Sequence, residues 1–199
     1  MRSRGDDLGI AKSIGEGEDV VRLVTIHSSK GLEYPVVFVA GINGKFNMMD
    51  FRGSYMFDQD FGIAVKAIDP EHRVVSTSLP YLALKEKKIA KMKAEEMRIL
   101  YVAMTRAKEK LILVGAVSDW QKTKDKWSQY QNLDTARLPD YVRANAMSYL
   151  DWIGPAVARH HDFLTLTYKD AKPEAEANTK STWLVKVLND SIFEFEQVE

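Results

Sequence analysis

The sequence predicts an α/β fold with a parallel sheet and a helical C-terminal extension. Three observations carry that reading. Short apolar runs suited to strands lie at 20–26, 36–40 and 111–115, a long helical pattern occupies 80–105, and two more helical patterns follow residue 118.

Val20-Val-Arg-Leu-Val-Thr-Ile26 alternates as a half-buried strand does, and Val36-Val-Phe-Val-Ala40 is a continuous run suited to a buried one, so both are expected in one sheet. The residues between them, 28–33, are too few for a crossover helix and suit a single helical turn capped by Ser28 or Ser29. Parallel pairing of these two runs therefore needs a crossover from another strand, or they are not neighbours. Tyr55-Met-Phe57 and Ile63-Ala-Val-Lys66 flank Asp58-Gln-Asp-Phe-Gly62, which predicts a peripheral β-hairpin bounded by a loop at Asp69-Pro70. From Pro80 to Thr105, Leu82, Ile89, Met92, Met97, Leu100, Tyr101 and Met104 recur at helical spacing, and the last turn delivers Thr105 and Arg106 to one end of the domain. Helices are expected at 120–131 and at 145–160, the latter capped by Asn145. A strand follows at 163–168, then a Lys, Glu and Ala rich linker at 169–180. Trp183, Leu184, Val187, Leu188, Ile192 and Phe195 are spaced as on a helix.

Composition narrows the classes. With 28 basic and 28 acidic side chains there is no global field for a polyanion, so any nucleic-acid contact must come from local placement. The chain has no cysteine, which excludes disulfides, thiolate metal sites and thiol nucleophiles and fits a reducing cytoplasm. No apolar run approaches membrane-spanning length, and residues 1–17 lack a signal core and read as a flexible entry. The basic run at 85–93 is interleaved with Glu86, Glu95 and Glu96 and reads as a solvated helix face. His160-His161-Asp162 has no carboxylate pair at ligand spacing, so no metal site is assigned.

Two segments carry the chemistry. Thr25-Ile-His-Ser-Ser-Lys-Gly-Leu-Glu-Tyr-Pro-Val-Val-Phe-Val39 sets hydroxyls, an imidazole, an ammonium and a carboxylate between apolar runs. Glu95-Glu-Met-Arg-Ile-Leu-Tyr-Val-Ala-Met-Thr-Arg-Ala-Lys108 ends a helix on an arginine. Both resemble motifs V and VI of superfamily 1 DNA helicases of the UvrD, PcrA and RecB group. Pro35 to Gly41, Phe46-Asn47 and Ser148-Tyr-Leu-Asp-Trp-Ile-Gly-Pro155 look most like the AddA (RexA) helicase/nuclease subunits. The resemblance covers roughly residues 20 to 160. It implies a partial RecA-like second motor domain at 20–117, a flexible segment at 1–19, a helical extension at 118–165 and a linker and tail at 166–199.

The resemblance also implies roles. Arg106 would be an arginine finger on the γ-phosphate of ATP, against the plainer reading of a cation closing a helix C-terminus. Lys30 and Gly31 could offer an ammonium and close backbone approach to the phosphates, and Glu33 would accept from the ribose hydroxyls; the plainer reading of each charge is a solvated loop side chain. Thr25, His27, Ser28 and Thr105 would lie on the DNA side, where neutral donors can be remade at each step; His27 could otherwise be a satisfied core histidine. Tyr101, one turn before Thr105, is expected to pack rather than touch ligand.

No G-x-x-x-x-G-K-[ST] occurs, Gly41-Ile-Asn-Gly44-Lys45 having the wrong spacing, and no magnesium carboxylate motif accompanies it; this piece alone is expected not to hydrolyse ATP. The expected whole is an ATP-dependent helicase/nuclease that moves on single-stranded DNA and unwinds DNA ends in double-strand break repair. Its ATP and Mg2+ would be held mainly by a first motor domain, and an AddB/RexB-type subunit would be its partner. The alternatives are a non-catalytic helicase-like module that binds DNA or a partner subunit, or a UvrD-type repair helicase.

Overall fold

The computed structural model describes residues 20–133, 135, 137–160, 163 and 182–188. Its centre is a parallel pair of strands, β1 (Tyr34–Ala40) and β6 (Ala107–Val114), in the register Val37↔Leu111 to Ala40↔Val114. Between them run the antiparallel hairpin β2 (Tyr55–Asp58) and β3 (Gly62–Val65), a second hairpin β4 (Ala67–Asp69) and β5 (Val74–Ser76), and helix α1 (Leu79–Met104). After β6 come α2 (Trp120–Ser128), α3 (Asp140–Asn145) and α4 (Leu150–Val157). The α/β class and parallel sheet are as the sequence predicts.

Helix α1 begins where Ser78 caps it, its Oγ accepting the Tyr81 N–H at 3.3 Å, with Pro80 in the first turn. At 26 residues it spans roughly 39 Å, long enough to carry two separate cores. Its start packs Tyr81 and Leu84 on Phe51 and on Met56 and Ala64, the inner face of the first hairpin. Its end packs Leu100 on Phe46, Ala146 and Trp152, and Ala103 on Val39 and Ile42. The basic run is only partly a solvated face. Lys87 reaches Asp58 at 2.9 Å and Asp60 at 3.0 Å and lies 4.2 Å from the centre of the Phe61 ring, while Lys93 bonds the Ala144 carbonyl. The hydrogen bond from Lys87, foremost, holds the Asp58 carboxyl below its ordinary range.

Several expectations are corrected. Residues 20–25 are not a strand: Val21 and Leu23 are fully exposed, and no strand among the described residues lies alongside to complete a ladder. Strand β1 is buried on one face only, with Val39 inward and Phe38 outward at 66% exposure, because α1 and α4 cover a single side. The region around Asp69-Pro70 is a hairpin turn in which the Asp69 carboxylate accepts the Glu71 and His72 N–H groups. Asn145 ends α3 instead of capping α4. Ser148 and Asp151 make the reciprocal cap, Asp151 Oδ2 accepting from Ser148 Oγ and Met147 N at 3.0 Å while Ser148 Oγ accepts the Asp151 N–H at 3.3 Å. Residues 182–188 carry no regular helix, and the backbone is helical at Phe163. Residues 1–19, the remainder of the strand expected at 163–168, the linker at 169–180, Ile192 and Phe195 lie outside the described residues.

The segments 41–46 and 148–155, far apart in the chain, meet. Leu150 N donates to Ile42 O at 2.8 Å and Phe46 N to Met147 O at 2.8 Å, and the Phe46 ring lies 5.4 Å from Tyr149 and 5.1 Å from Trp152. Tyr149 Oη then donates to Glu96 on α1 at 2.6 Å. Tyr149→Phe keeps the ring and removes that bond, so it should cost about 1–2 kcal/mol in an unfolding titration. Burial, and then Glu96, push the Tyr149 hydroxyl above its ordinary value of 10.0. The native state therefore keeps a proton that the unfolded chain gives up. That stability is complete below pH 10 and drains as the pH climbs further, and the variant should lack this alkaline loss.

Candidate nucleotide and nucleic-acid site

The loop at 25–33 is built by local hydrogen bonds. Thr25 and Ser28 join their hydroxyls at 2.8 Å, and Ser28 N–H donates to Thr25 Oγ1 at 3.3 Å. Buried Ser29 donates its N–H to Thr25 O at 3.1 Å and its Oγ to Ile26 O at 2.7 Å, and Leu32 N–H returns to Ser29 O at 3.0 Å. The result is a single turn at 26–31, begun by Thr25 and not capped by Ser28 or Ser29 over 28–33 as expected, with Ser29 as its inward anchor. Gly31 closes the turn at φ +84°; a Cβ there would meet nothing within 4 Å, so the backbone angle and not space calls for glycine. His27, Lys30 and Glu33 project from this turn exposed, which removes the core-histidine reading of His27.

The end of α1 closes on the same loop. Arg106 O accepts the Tyr34 N–H at 2.9 Å, and Arg106 Nη1 donates to Leu32 O at 3.0 Å, across 74 residues of chain. Arg106 Nε donates to Val102 O at 3.0 Å, answering one of the carbonyls that a helix end leaves unpaired, and Nη2 donates to Thr105 Oγ1 at 3.1 Å. Three of the five guanidinium N–H groups are thus committed and two remain, enough for a forked contact with an anion. The side chain is half-buried, anchored beside the Lys30-Gly31 turn and open on one side. The helix-closing reading accounts for its Nε bond to Val102 O.

Just past Ala107, the residues from Tyr34 to Val36 face one residue more on β6, an irregularity that places Lys108 Nζ 3.5 Å from Glu33 Oε2. Both side chains are more than half exposed. Sequence reasoning missed Lys108. Its signal was position: it follows the motif arginine at the start of a strand that pairs with the strand after the loop. Arg106, Lys30, Gly31, Glu33 and Lys108 therefore form one neighbourhood of three cations and one carboxylate, suited to a polyanion. The hydrogen bonds of Thr25 and Ser28 stay inside residues 25–29. Tyr101 is 68% exposed, so the expectation that it packs is corrected: its face of α1 turns away from Val39 and Trp152. Among the described residues no group of three or more His, Asp or Glu side chains could hold a metal ion, and no helix is long and apolar enough to cross a membrane.

Residues 9–118, which hold the loop, α1 and the arginine, match the model of the UvrD-like helicase C-terminal domain. The chain belongs to that family. Along 98% of its length it is 62% identical to an ATP-dependent helicase/nuclease subunit from Lysinibacillus sphaericus. It is 54% identical over 80% of its length to the protein of the same name from Bacillus cytotoxicus, and 47% over 94% to that from Bacillus thuringiensis. The chain spans 16%, 13% and 15% of the length of these relatives. The similarity thus continues past the UvrD-like domain into α2, α3 and α4.

Proposed function

We propose that the chain forms the closing part of the second motor domain of an AddA-type ATP-dependent DNA helicase/nuclease, with a helical extension after residue 117. The observation that carries the reading is the joint between the two motif segments: Arg106 bonded to Leu32 O, with Lys108 beside Glu33. ATP is the substrate. Its γ-phosphate would meet the two unspent N–H groups of Arg106, its other phosphates Lys30 and the Gly31 backbone, and its ribose Glu33. The phosphate cradle and the Mg2+ that accompanies ATP would belong to a first motor domain, since this sequence carries no G-x-x-x-x-G-K-[ST].

In this reading, clamping of nucleotide between the two domains pulls on the turn at 25–33, and release after hydrolysis relaxes it. Thr25, His27 and Ser28 lie on that same turn, so their grip on single-stranded DNA would alternate with the state of the nucleotide. The larger protein would use that cycle to unwind and process DNA ends for double-strand break repair, together with an AddB/RexB-type subunit, in the cytoplasm. The names of the relatives support the helicase and nuclease parts, and the joint supports the motor part.

Replacing Thr25 and His27 together by alanine in the full-length protein tests the DNA side. Stimulation of ATP hydrolysis by single-stranded DNA should fall by about tenfold, a larger loss than that of DNA-independent hydrolysis. Equal losses in the two assays would remove these residues from the DNA contact.

A further inference from the structure

Thr105 sits directly before the arginine, and the family resemblance places it on the DNA side. Its hydroxyl is already engaged elsewhere. Thr105 Oγ1 donates to Val102 O at 3.0 Å and accepts from Arg106 Nη2 at 3.1 Å. A hydroxyl has one hydrogen and a guanidinium can only donate, so the two assignments are forced and agree: the proton goes to Val102 O and a lone pair faces Nη2.

Val102 O receives a second donor, Arg106 Nε, at 3.0 Å. The helix-end carbonyl, the hydroxyl and two nitrogens of the guanidinium therefore close a small ring of hydrogen bonds. That ring sets the tilt of the guanidinium plane, and Leu32 O holds its other nitrogen at 3.0 Å. The backbone at Thr105, at φ −86° and ψ 5°, is where α1 stops, with its N–H returned to Tyr101 O at 3.0 Å. The hydroxyl is thus carried by the last rigid point of the helix, and a β-branched side chain has few rotamers in which to misplace it.

We propose that Thr105 is a positioning residue for Arg106, fixing the plane of the guanidinium for the developing charge of the γ-phosphate, and not a contact to DNA. The inference rests on the arginine-finger reading and adds to it how the finger is aimed. A finger that is held needs no reorganisation when the bond breaks, and a small error in its aim is costly in rate. Lys or Ala at position 106 would lose the ring altogether. Loss of the Thr105 hydroxyl would leave the charge in place but free to tilt.

The test uses the full-length protein with saturating single-stranded DNA. Thr105→Val, which matches threonine in shape, should lower kcat for ATP by about tenfold while KM for ATP stays within about twofold. The DNA concentration for half-maximal stimulation should also stay within about twofold. Thr105→Ser, which keeps the hydroxyl, should recover most of the rate. In an Arg106→Ala background Thr105→Val should remove nothing further, because no guanidinium remains to be aimed. A several-fold rise in the DNA requirement with normal kcat would return Thr105 to the DNA side and end the proposal. So would a loss in the Arg106→Ala background as large as in the wild type, which marks a general structural role. Full turnover in Thr105→Val beside a disabled Arg106→Ala would overturn the aiming role alone; full turnover in Arg106→Ala would overturn the finger and the aiming role together.

Discussion

Arg106→Ala in the full-length protein is expected to lower the turnover of ATP by about 10³-fold and to change nucleotide affinity only a few-fold. The asymmetry follows from where the charge is needed. In the proposed site the ground-state nucleotide would have other cations to meet, Lys30 and Lys108 among them, whereas the two N–H groups that Arg106 keeps free would matter most as charge moves on the γ-phosphate. Arg106→Lys should fare little better. An ammonium cannot reach Val102 O, Thr105 Oγ1 and Leu32 O at once, so the charge is kept and its aim is lost. Single-turnover hydrolysis with nucleotide binding measured separately checks both statements. Nucleotide affinity that collapses along with turnover would mean a ground-state phosphate contact or a damaged loop, and unchanged turnover would sink the finger assignment.

Gly154→Ala is expected to be the most destabilising Gly→Ala change among the described glycines, costing about 3 kcal/mol. A Cβ built at Gly154 falls 2.1 Å from Trp127 Cε2, 2.3 Å from Cζ2 and 2.6 Å from Nε1. These are atoms of a rigid ring, and the ring cannot simply withdraw. Trp127 is buried with Ala158 and Phe163 and stands edge-on to Trp120 at 5.8 Å. The helix α4 must move instead, and α4 carries Trp152, whose Nε1 donates to Arg143 O at 3.0 Å, and begins at Leu150, whose N–H donates to Ile42 O. Chemical denaturation followed by tryptophan fluorescence reads the loss. Gly154→Ala combined with Trp127→Phe should regain part of it, since the smaller ring vacates the overlap; simple addition of the two losses would contradict this account of the glycine.

Much of the frame was legible because its signals are local. The turn chemistry of 58–62 specified the first hairpin, and Pro80 with the recurring apolar residues specified α1. Where partners lie far off in the chain, local signals misled. The alternation at 20–26 has no ladder beside it among the described residues, and Asn145 has the chemistry of a cap but lost that place to Ser148 and Asp151, whose i, i+3 spacing was equally visible. The site divides in the same way. Gly31 was readable as a special backbone position, yet nothing local says that Lys108 faces Glu33, that the Arg106 guanidinium closes on the Leu32 carbonyl or that Tyr101 points to solvent.

Residue types and spacing were sufficient for the α/β class, the family, the exposed turn carrying Lys30 and Glu33, and the arginine at a helix end, because those depend on periodicity and on chemistry within a few residues. Folding in three dimensions decided how the arginine is held. The three acceptors that take its N–H groups are a carbonyl four residues back, the hydroxyl of the preceding residue and a carbonyl 74 residues away. The first two can be written from a helix end. The third exists only because β1 and β6 pair in parallel from Tyr34 and Ala107, and strand register is a property of two segments at once.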